Sequence, residues 1–251
     1  LTQTEHEIYA VTRNADTISK AKELSQHVSD DYKILKDCDV VFVSSPISKT
    51  LDVLDELEHI VSSKCLVLDC ASVKEFVMKK ERPYKFIGSH PMAGTEFTGY
   101  NNSFKELFVG AKWVLTPSKK ISSDDIQTAK KIIKLTGANP IITNAKEHDI
   151  AVALISHMPL ILSQALFNSV KDNDLALKLA SSGFRDMTRL ATSNLDMAED
   201  MKKYNTQNIE AAFDNLAVSI NEIKNTKDLK ILTDIKNMRS NMYSNEGKNI
   251  L

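Results

Sequence analysis

"VVFVSSPISKTLDVLDELEHIVSSKCLVLDCAS", residues 40–72, reads as two short apolar runs enclosing an amphipathic stretch. The flanking runs, "VVFVSSP" (40–46) and "CLVLDCAS" (65–72), are short and rich in branched side chains, as buried strands are. Between them "TLDVLDELEHIV" (50–61) sets Leu51, Leu54, Leu57 and Val61 on one helical face. A strand, a helix and a strand in that order predict parallel strands joined by a crossover helix.

The alternation extends outward in both directions. "EIYAV" (7–11) precedes it, and "KFIGSH" (85–90), "KWVLTP" (112–117) and "PIITN" (140–144) follow; "ADTISKAKELSQH" (15–27) is a further helical candidate. Repeated βα units predict a mostly parallel α/β sheet with helices on both faces. From Ala145 onward the strand signal stops. Ile209, Phe213, Leu216, Ile220 and Ile223 step by three and four, and Leu229, Leu232 and Ile235 begin another stripe. The expected division is therefore residues 1–144, an α/β domain, and residues 145–251, an all-helical domain. A long apolar stripe is buried against its own chain in the commoner case, and across a symmetric dimer in the other.

Composition narrows the function. The 251 residues are 42% hydrophobic and 26% charged, enough for a sizeable core in an ordinary soluble chain. A net charge of −1 lacks the basic footprint of a nucleic-acid binder or of a surface drawn to anionic membranes, which leaves small molecules as expected partners. Cys38, Cys65 and Cys70 are odd in number and without metal-ligand spacing, and read as reduced, buried thiols of a cytoplasmic protein that holds no metal. No apolar run approaches the roughly 18 residues of a membrane span, and the N-terminus carries no signal-like segment.

An open α/β sheet binds ligands beyond the carboxyl ends of its strands, and a dinucleotide there usually sits on a Gly-rich first turn. The glycines, at 88, 94, 99, 110, 137, 183 and 247, form no GxGxxG. Leu1 to His6 reads like the tail of a helix entering a strand, so the chain is expected to begin after a first strand and its phosphate loop. "EIYAV" then becomes the second strand, whose end meets the adenosine ribose. It ends in Thr12, Arg13 and Asn14, with no carboxylate before Asp16. A guanidinium grips a 2′-phosphate and a carboxylate repels it, which favours NADP over NAD. Ser44, Ser45 and Pro46, with Ala71 and Ser72, end the next two strands and are placed along the same crevice.

His90 ends the strand after those, within "FIGSHPMAGTEFTGY" (86–100), where Pro91 and Gly94 turn the chain at the sheet edge. With "DCASVK" (69–74), "FVGAKWVLTP" (108–117), "EHDIAVALISHMP" (147–159) and "ASSGFRDMTRLATSN" (180–194), this stretch resembles the prephenate/arogenate dehydrogenase family, the oxidative enzymes of tyrosine biosynthesis. The resemblance runs from about Glu7 to the C-terminal helices. It implies a Rossmann-like domain that binds NAD(P), followed by a helical domain that forms a homodimer.

In that family's reaction a cyclohexadienol loses hydride from the carbon bearing its hydroxyl and CO₂ from the opposite carbon, and the ring becomes aromatic. The protein must accept the hydroxyl proton, clamp the carboxylates and hold the nicotinamide within reach. The resemblance implies that neutral His90 is the acceptor and that Ser72 orients its ring or the substrate hydroxyl. It implies Arg189 as a bidentate carboxylate clamp. His157, turned to the cleft by a kink at Pro159, and Thr95 are implied as further substrate contacts. Glu96, Arg185 and Asp186 match positions near the entrance, an ordinary surface ion pair being the rival reading for the last two. His148 and Asp149 open the first C-terminal helix, where Asp149 is expected to serve the helix N-terminus. Many prephenate-using relatives read S-H-x-P-H; Leu160 follows Pro159 here, which with the strand end at Arg13 points to the NADP-using arogenate branch.

Prephenate with NAD or NADP is the nearest alternative. A hydroxyacid dehydrogenase is a second; such enzymes use a helix-borne lysine, against which the strand-end histidine speaks. A non-catalytic remnant, a binding or dimerisation module without its phosphate loop, is the third.

Overall fold

The computed structural model describes residues 4–94 and 99–243. Its first part runs β1 (Tyr9–Val11), α1 (Ala15–Ala21), β2 (His27–Ser29), β3 (Val40–Val43), α2 (Ile47–Leu57), β4 (Leu66–Asp69), α3 (Glu75–Met78), β5 (Lys85–Pro91), β6 (Lys112–Pro117), α4 (Ser123–Leu135) and β7 (Asn139–Ile142). Every apolar run of the sequence reading becomes a strand. Strands β3-β4-β5-β6-β7 form one sheet, parallel except that β6 runs against β5, and β1 pairs with β2 alone. It is a Rossmann-like, mostly parallel α/β unit.

All four residues of β4 are buried because both faces are covered. Val67 joins Val41, Val43, Leu54 and Leu57 beneath α2, while Leu66 and Leu68 join Leu115, Ala129 and Ile133 beneath α4. A capping box between Ser122 and Asp125 starts α4, and Asp125 also takes Lys85 Nζ at 2.6 Å.

The helix expected through His27 stops at Ala21 instead. His27–Ser29 forms a strand opposite Tyr9–Val11, and Ser25 Oγ donates to Ile8 O to close the intervening turn. Val28 is the only aliphatic residue of that strand, too little for a period-two signal.

The second part is helical: α5 (Ala145–Val152), a π-helical turn (Ala153–His157), α6 (Met158–Val170), α7 (Asp174–Leu179), α8 (Ser182–Thr188), a 3-10 turn (Arg189–Thr192), α9 (Leu195–Tyr204), α10 (Thr206–Asn225) and α11 (Leu229–Tyr243). The stretch Ala145–Val170 is one helical run with a mean hydropathy of 1.8 in its most apolar window, long and apolar enough to cross a membrane by length and composition. This corrects the sequence expectation, which counted unbroken apolar runs; single polar residues such as Ser156, His157 and Ser163 interrupt this one without lowering its mean much. Those interruptions mark a buried polar face, because His148, Asp149, His157 and Ser163 are all nearly inaccessible. That face packs on protein, while Leu154, Ile155 and Phe167 of the same run stay exposed.

The helical part docks through α5 and α9. Met201 enters the α/β core, Tyr204 stacks on Phe76 at 4.4 Å between ring centroids, and Asp200 Oδ2 accepts from Ser48 N at 2.9 Å. That last bond caps α2, whose own N-cap position is Pro46 and offers no side-chain acceptor. The stripe on α10 and α11 stays largely uncovered: Ile209 is buried, but Ile220, Ile223, Leu229, Leu232 and Ile235 are exposed.

Candidate active site

β5 reaches past the end of β4 and carries His90 over the carboxyl edge of the sheet, paired with Val114 of β6. A glycine is needed two residues earlier. A Cβ on Gly88 would collide with Thr116 Oγ1 and come within 2.7 Å of Met78 Sδ. The close approach of β5, β6 and α3 thus depends on the missing side chain.

Beneath His90 lies a buried ion pair. Lys74 Nζ donates to Asp69 Oδ2 and, at 2.6 Å, to Ser89 O; Asp69 also accepts from Ser89 N at 2.9 Å and Ala71 N at 3.0 Å. Lys74, Asp69 and Ser89 are wholly inaccessible, so each charge has its partner and several hydrogen bonds, as burial of charge demands. The network ties the loop after β4 to the His90 strand.

Above it, three groups form a chain. His90 Nδ1 stands 2.9 Å from His148 Nε2, and His148 Nδ1 stands 2.7 Å from Asp149 Oδ1. Asp149 accepts as well from Lys74 N at 2.7 Å and Glu75 N at 2.8 Å. It therefore caps α3, across the join between the two parts, and not its own helix, which Asn144 caps. The His90 imidazole is pushed well below its usual pKa, first by burial, then by the neighbouring His148, Lys74 and His157. It is a neutral ring at pH 7.

His157 lies in the π-helical turn just ahead of Pro159, whose ring nitrogen has no proton for the helix ladder. The ring is 1% exposed. Its Nδ1 meets Asn205 Nδ2 at 3.1 Å, and its Nε2 is a buried polar atom with no partner among the described residues. Burial lowers its pKa to about 4. Ser72 Oγ is likewise buried without a partner: it makes no hydrogen bond to His90, and His148 holds that ring instead.

The expected cofactor side chains fall into two groups. Thr12, Arg13, Ser45 and Pro46 line one cavity of about 1330 Å³, between β1 and β3, whose facing edges are not paired to one another. Arg13 pairs loosely with Glu56 at 3.5 Å and lies over the Tyr32 ring, 5.7 Å from its centroid. Asn14 and Ala71 do not line it. Asn14 Oδ1 caps α1 by accepting from Thr17 N, and Ala71 N is held by Asp69. The substrate-side residues are more scattered. Arg189 opens the 3-10 turn after α8, exposed and without an ion pair to a described residue; Arg185 and Asp186 form an exposed pair at 3.7 Å. Thr95 and Glu96 lie outside the described residues.

The model of the prephenate dehydrogenase nucleotide-binding domain matches residues 2–142, and that of the prephenate dehydrogenase dimerization domain matches residues 144–235. The chain belongs to the prephenate dehydrogenase family. A prephenate dehydrogenase of Bacillus subtilis is 30% identical over 200 residues, 76% of this chain; the chain spans 54% of that relative's length. The crystal structure of Synechocystis arogenate dehydrogenase superposes with a TM-score of 0.79 at 27% identity, covering 98% of this chain and 92% of that one. That of Aquifex aeolicus prephenate dehydrogenase, in complex with hydroxyphenyl propionate and NAD+, gives 0.78 at 27%, covering 98% and 89%.

Within this prephenate dehydrogenase fold, sequence reasoning left four participants without a role: Lys74, Asp69, His148 and Asn205. "DCASVK" held a signal for the first two, since a lysine and an aspartate five residues apart flank a strand end between apolar neighbours. Nothing local marks Asn205, which reaches His157 from 48 residues away.

Proposed function

We propose that this protein oxidatively decarboxylates arogenate with NADP, in the cytoplasm and as a homodimer through its helical domain. The observation that carries the reading is His90: a neutral imidazole at the carboxyl edge of a Rossmann-like sheet, hydrogen-bonded through one nitrogen only among the described residues. His90 accepts the ring hydroxyl proton as C4 becomes a carbonyl carbon. The C4–H pair leaves as hydride, the bond to the departing CO₂ returns its electrons through the ring to the oxygen as a phenolate, and the proton held by His90 goes back to give the phenol. The bound nicotinamide supplies the hydride acceptor.

Ser72 Oγ, buried and with no hydrogen-bond partner among the described residues, bonds the substrate hydroxyl in this reading. His157 and Thr95 contact the rest of the substrate in this reading, and Arg189 clamps a carboxylate. Arg13 and Thr12 at the end of β1 fit the ribose end of NADP, since an exposed pair with Glu56 is cheaply exchanged for a 2′-phosphate. Ser45 and Pro46 line the same cavity as Thr12 and Arg13, whereas Asn14 acts as the cap of α1 and Ala71 is held by Asp69. The three free cysteines fit a reducing compartment.

Prephenate is a second reading, favoured by the prephenate dehydrogenase name of the Bacillus subtilis relative. Steady-state assays with both substrates and both cofactors separate the two. Arogenate with NADP is expected to give the highest kcat/KM, and His90→Asn to lower kcat by about 10²-fold or more. Equal efficiency on prephenate with NAD would overturn the ordering; failure to bind either dinucleotide would leave a binding or dimerisation module.

A further inference from the structure

Two imidazoles of the site are bonded so that their proton positions follow from the neighbours. Asp149 offers only acceptor oxygens, and both already face backbone N–H donors of Lys74 and Glu75. His148 Nδ1, 2.7 Å from the same carboxylate, therefore carries a hydrogen. In the neutral ring His148 Nε2 is then an acceptor, and the hydrogen in the 2.9 Å contact belongs to His90 Nδ1. His90 Nε2 is left with its lone pair.

The second imidazole is set by the other end of the same residue. Asn205 Nδ2 lies 2.8 Å from the Asp149 carbonyl oxygen, which accepts and never donates, so this atom is the amide NH₂ and not its oxygen. Its other hydrogen points to His157 Nδ1. His157 Nδ1 accepts, and its proton sits on the buried Nε2, which has no partner among the described residues.

We infer that Asp149, through His148 on its carboxylate and Asn205 on its carbonyl, locks the imidazoles of His90 and His157 in opposite tautomers, His90 Nε2 as acceptor and His157 Nε2–H as donor. Asp149, His148 and Asn205 are positioning residues, all supplied by the helical part to a base on the sheet. Among the described residues, the other charged groups at His90 are Lys74 and, through it, Asp69. The opposite arrangement, a charged His148 paired with Asp149 and donating from both nitrogens, would put the His90 proton on the nitrogen meant to receive one. The value of the lock for catalysis rests on the proposed reaction; the tautomers do not.

Long-range proton–nitrogen correlation spectra of the ¹⁵N-labelled chain at pH 7 read them directly. The chain has six histidines, and spectra of His90→Asn and His157→Gln assign the two of interest. The expected pattern is Nδ1–H for His90 and Nε2–H for His157. His148→Leu removes the acceptor and is expected to shift the His90 tautomer ratio by about tenfold or more; the amide oxygen of His148→Gln restores it. In turnover, kcat is expected to fall by about 10²-fold in the leucine variant and to recover in the glutamine variant, with KM little changed. An Nε2–H tautomer of His90 in the unaltered protein, or a ratio indifferent to the leucine, would overturn the inference. If the leucine variant does not fold, the spectrum of the unaltered protein decides. Absent turnover alongside the expected spectrum would instead overturn the proposed reaction.

Discussion

His157 shows at the scale of a single residue how burial becomes pH dependence. Its pKa is about 4 in the fold against 6.5 for a solvated imidazole, chiefly through desolvation. Between those values the unfolded chain binds a proton that the folded one refuses, so stability falls as pH falls. The loss begins near pH 6.5, is complete below about 4, and amounts to roughly 3 kcal/mol. The low pKa of His90 adds to the same slope. Urea unfolding between pH 7 and 4 is expected to show this fall, and a flatter one in His157→Gln; equal slopes would mean that His157 titrates normally. The sequence placed His90 through its position after an apolar run and before Pro91, a local signal. The family resemblance gave Ser72 the role of orienting that ring or the substrate hydroxyl, whereas in the structure His148, 58 residues away, hydrogen-bonds the ring. Partners at such a separation leave no periodicity to read.

At the scale of elements, β5 is the piece whose geometry the site depends on. It is buried through Gly88 and Ser89, bonded to β4 on one side and β6 on the other. Gly88→Val would force Thr116 and Met78 away in a region with no free volume. Unfolding free energy is expected to drop by about 1–3 kcal/mol, with kcat falling because His90 rides on the same strand; a variant as stable and as active as the parent would show that β5 and β6 have room to part. The strands were legible because each is an apolar run between turn residues. β2 was not, with one aliphatic side chain and a partner strand to complete it. The π-helical turn before Pro159 was foreshadowed only as a kink, because a proline reveals which hydrogen bond is lost and not how the turn widens to absorb the loss.

At the scale of the whole molecule, the helical part has too small a core to account for its apolar residues. Ala153, Ile209 and Ala212 are its buried cluster, while Ile220, Ile223, Leu232, Ile235 and Met238 face outward on α10 and α11. A second copy covering that face fits the dimerization-domain match. Ile223→Asp with Ile235→Asp is expected to turn a dimer into a monomer in sedimentation equilibrium; a wild-type monomer at micromolar concentration would sink the homodimer.

The sequence by itself determined the alternation of strands and helices, the change of character at residue 145 and the histidine at the sheet edge. Each is written in the spacing of neighbouring side chains. Only the tertiary structure decided which nitrogen of that histidine is bare, that Asp149 caps a helix in the other domain, and that Lys74 and Asp69 are buried together. Those facts depend on distant residues meeting in a low-dielectric interior, where one acceptor oxygen dictates the proton positions of everything bonded to it.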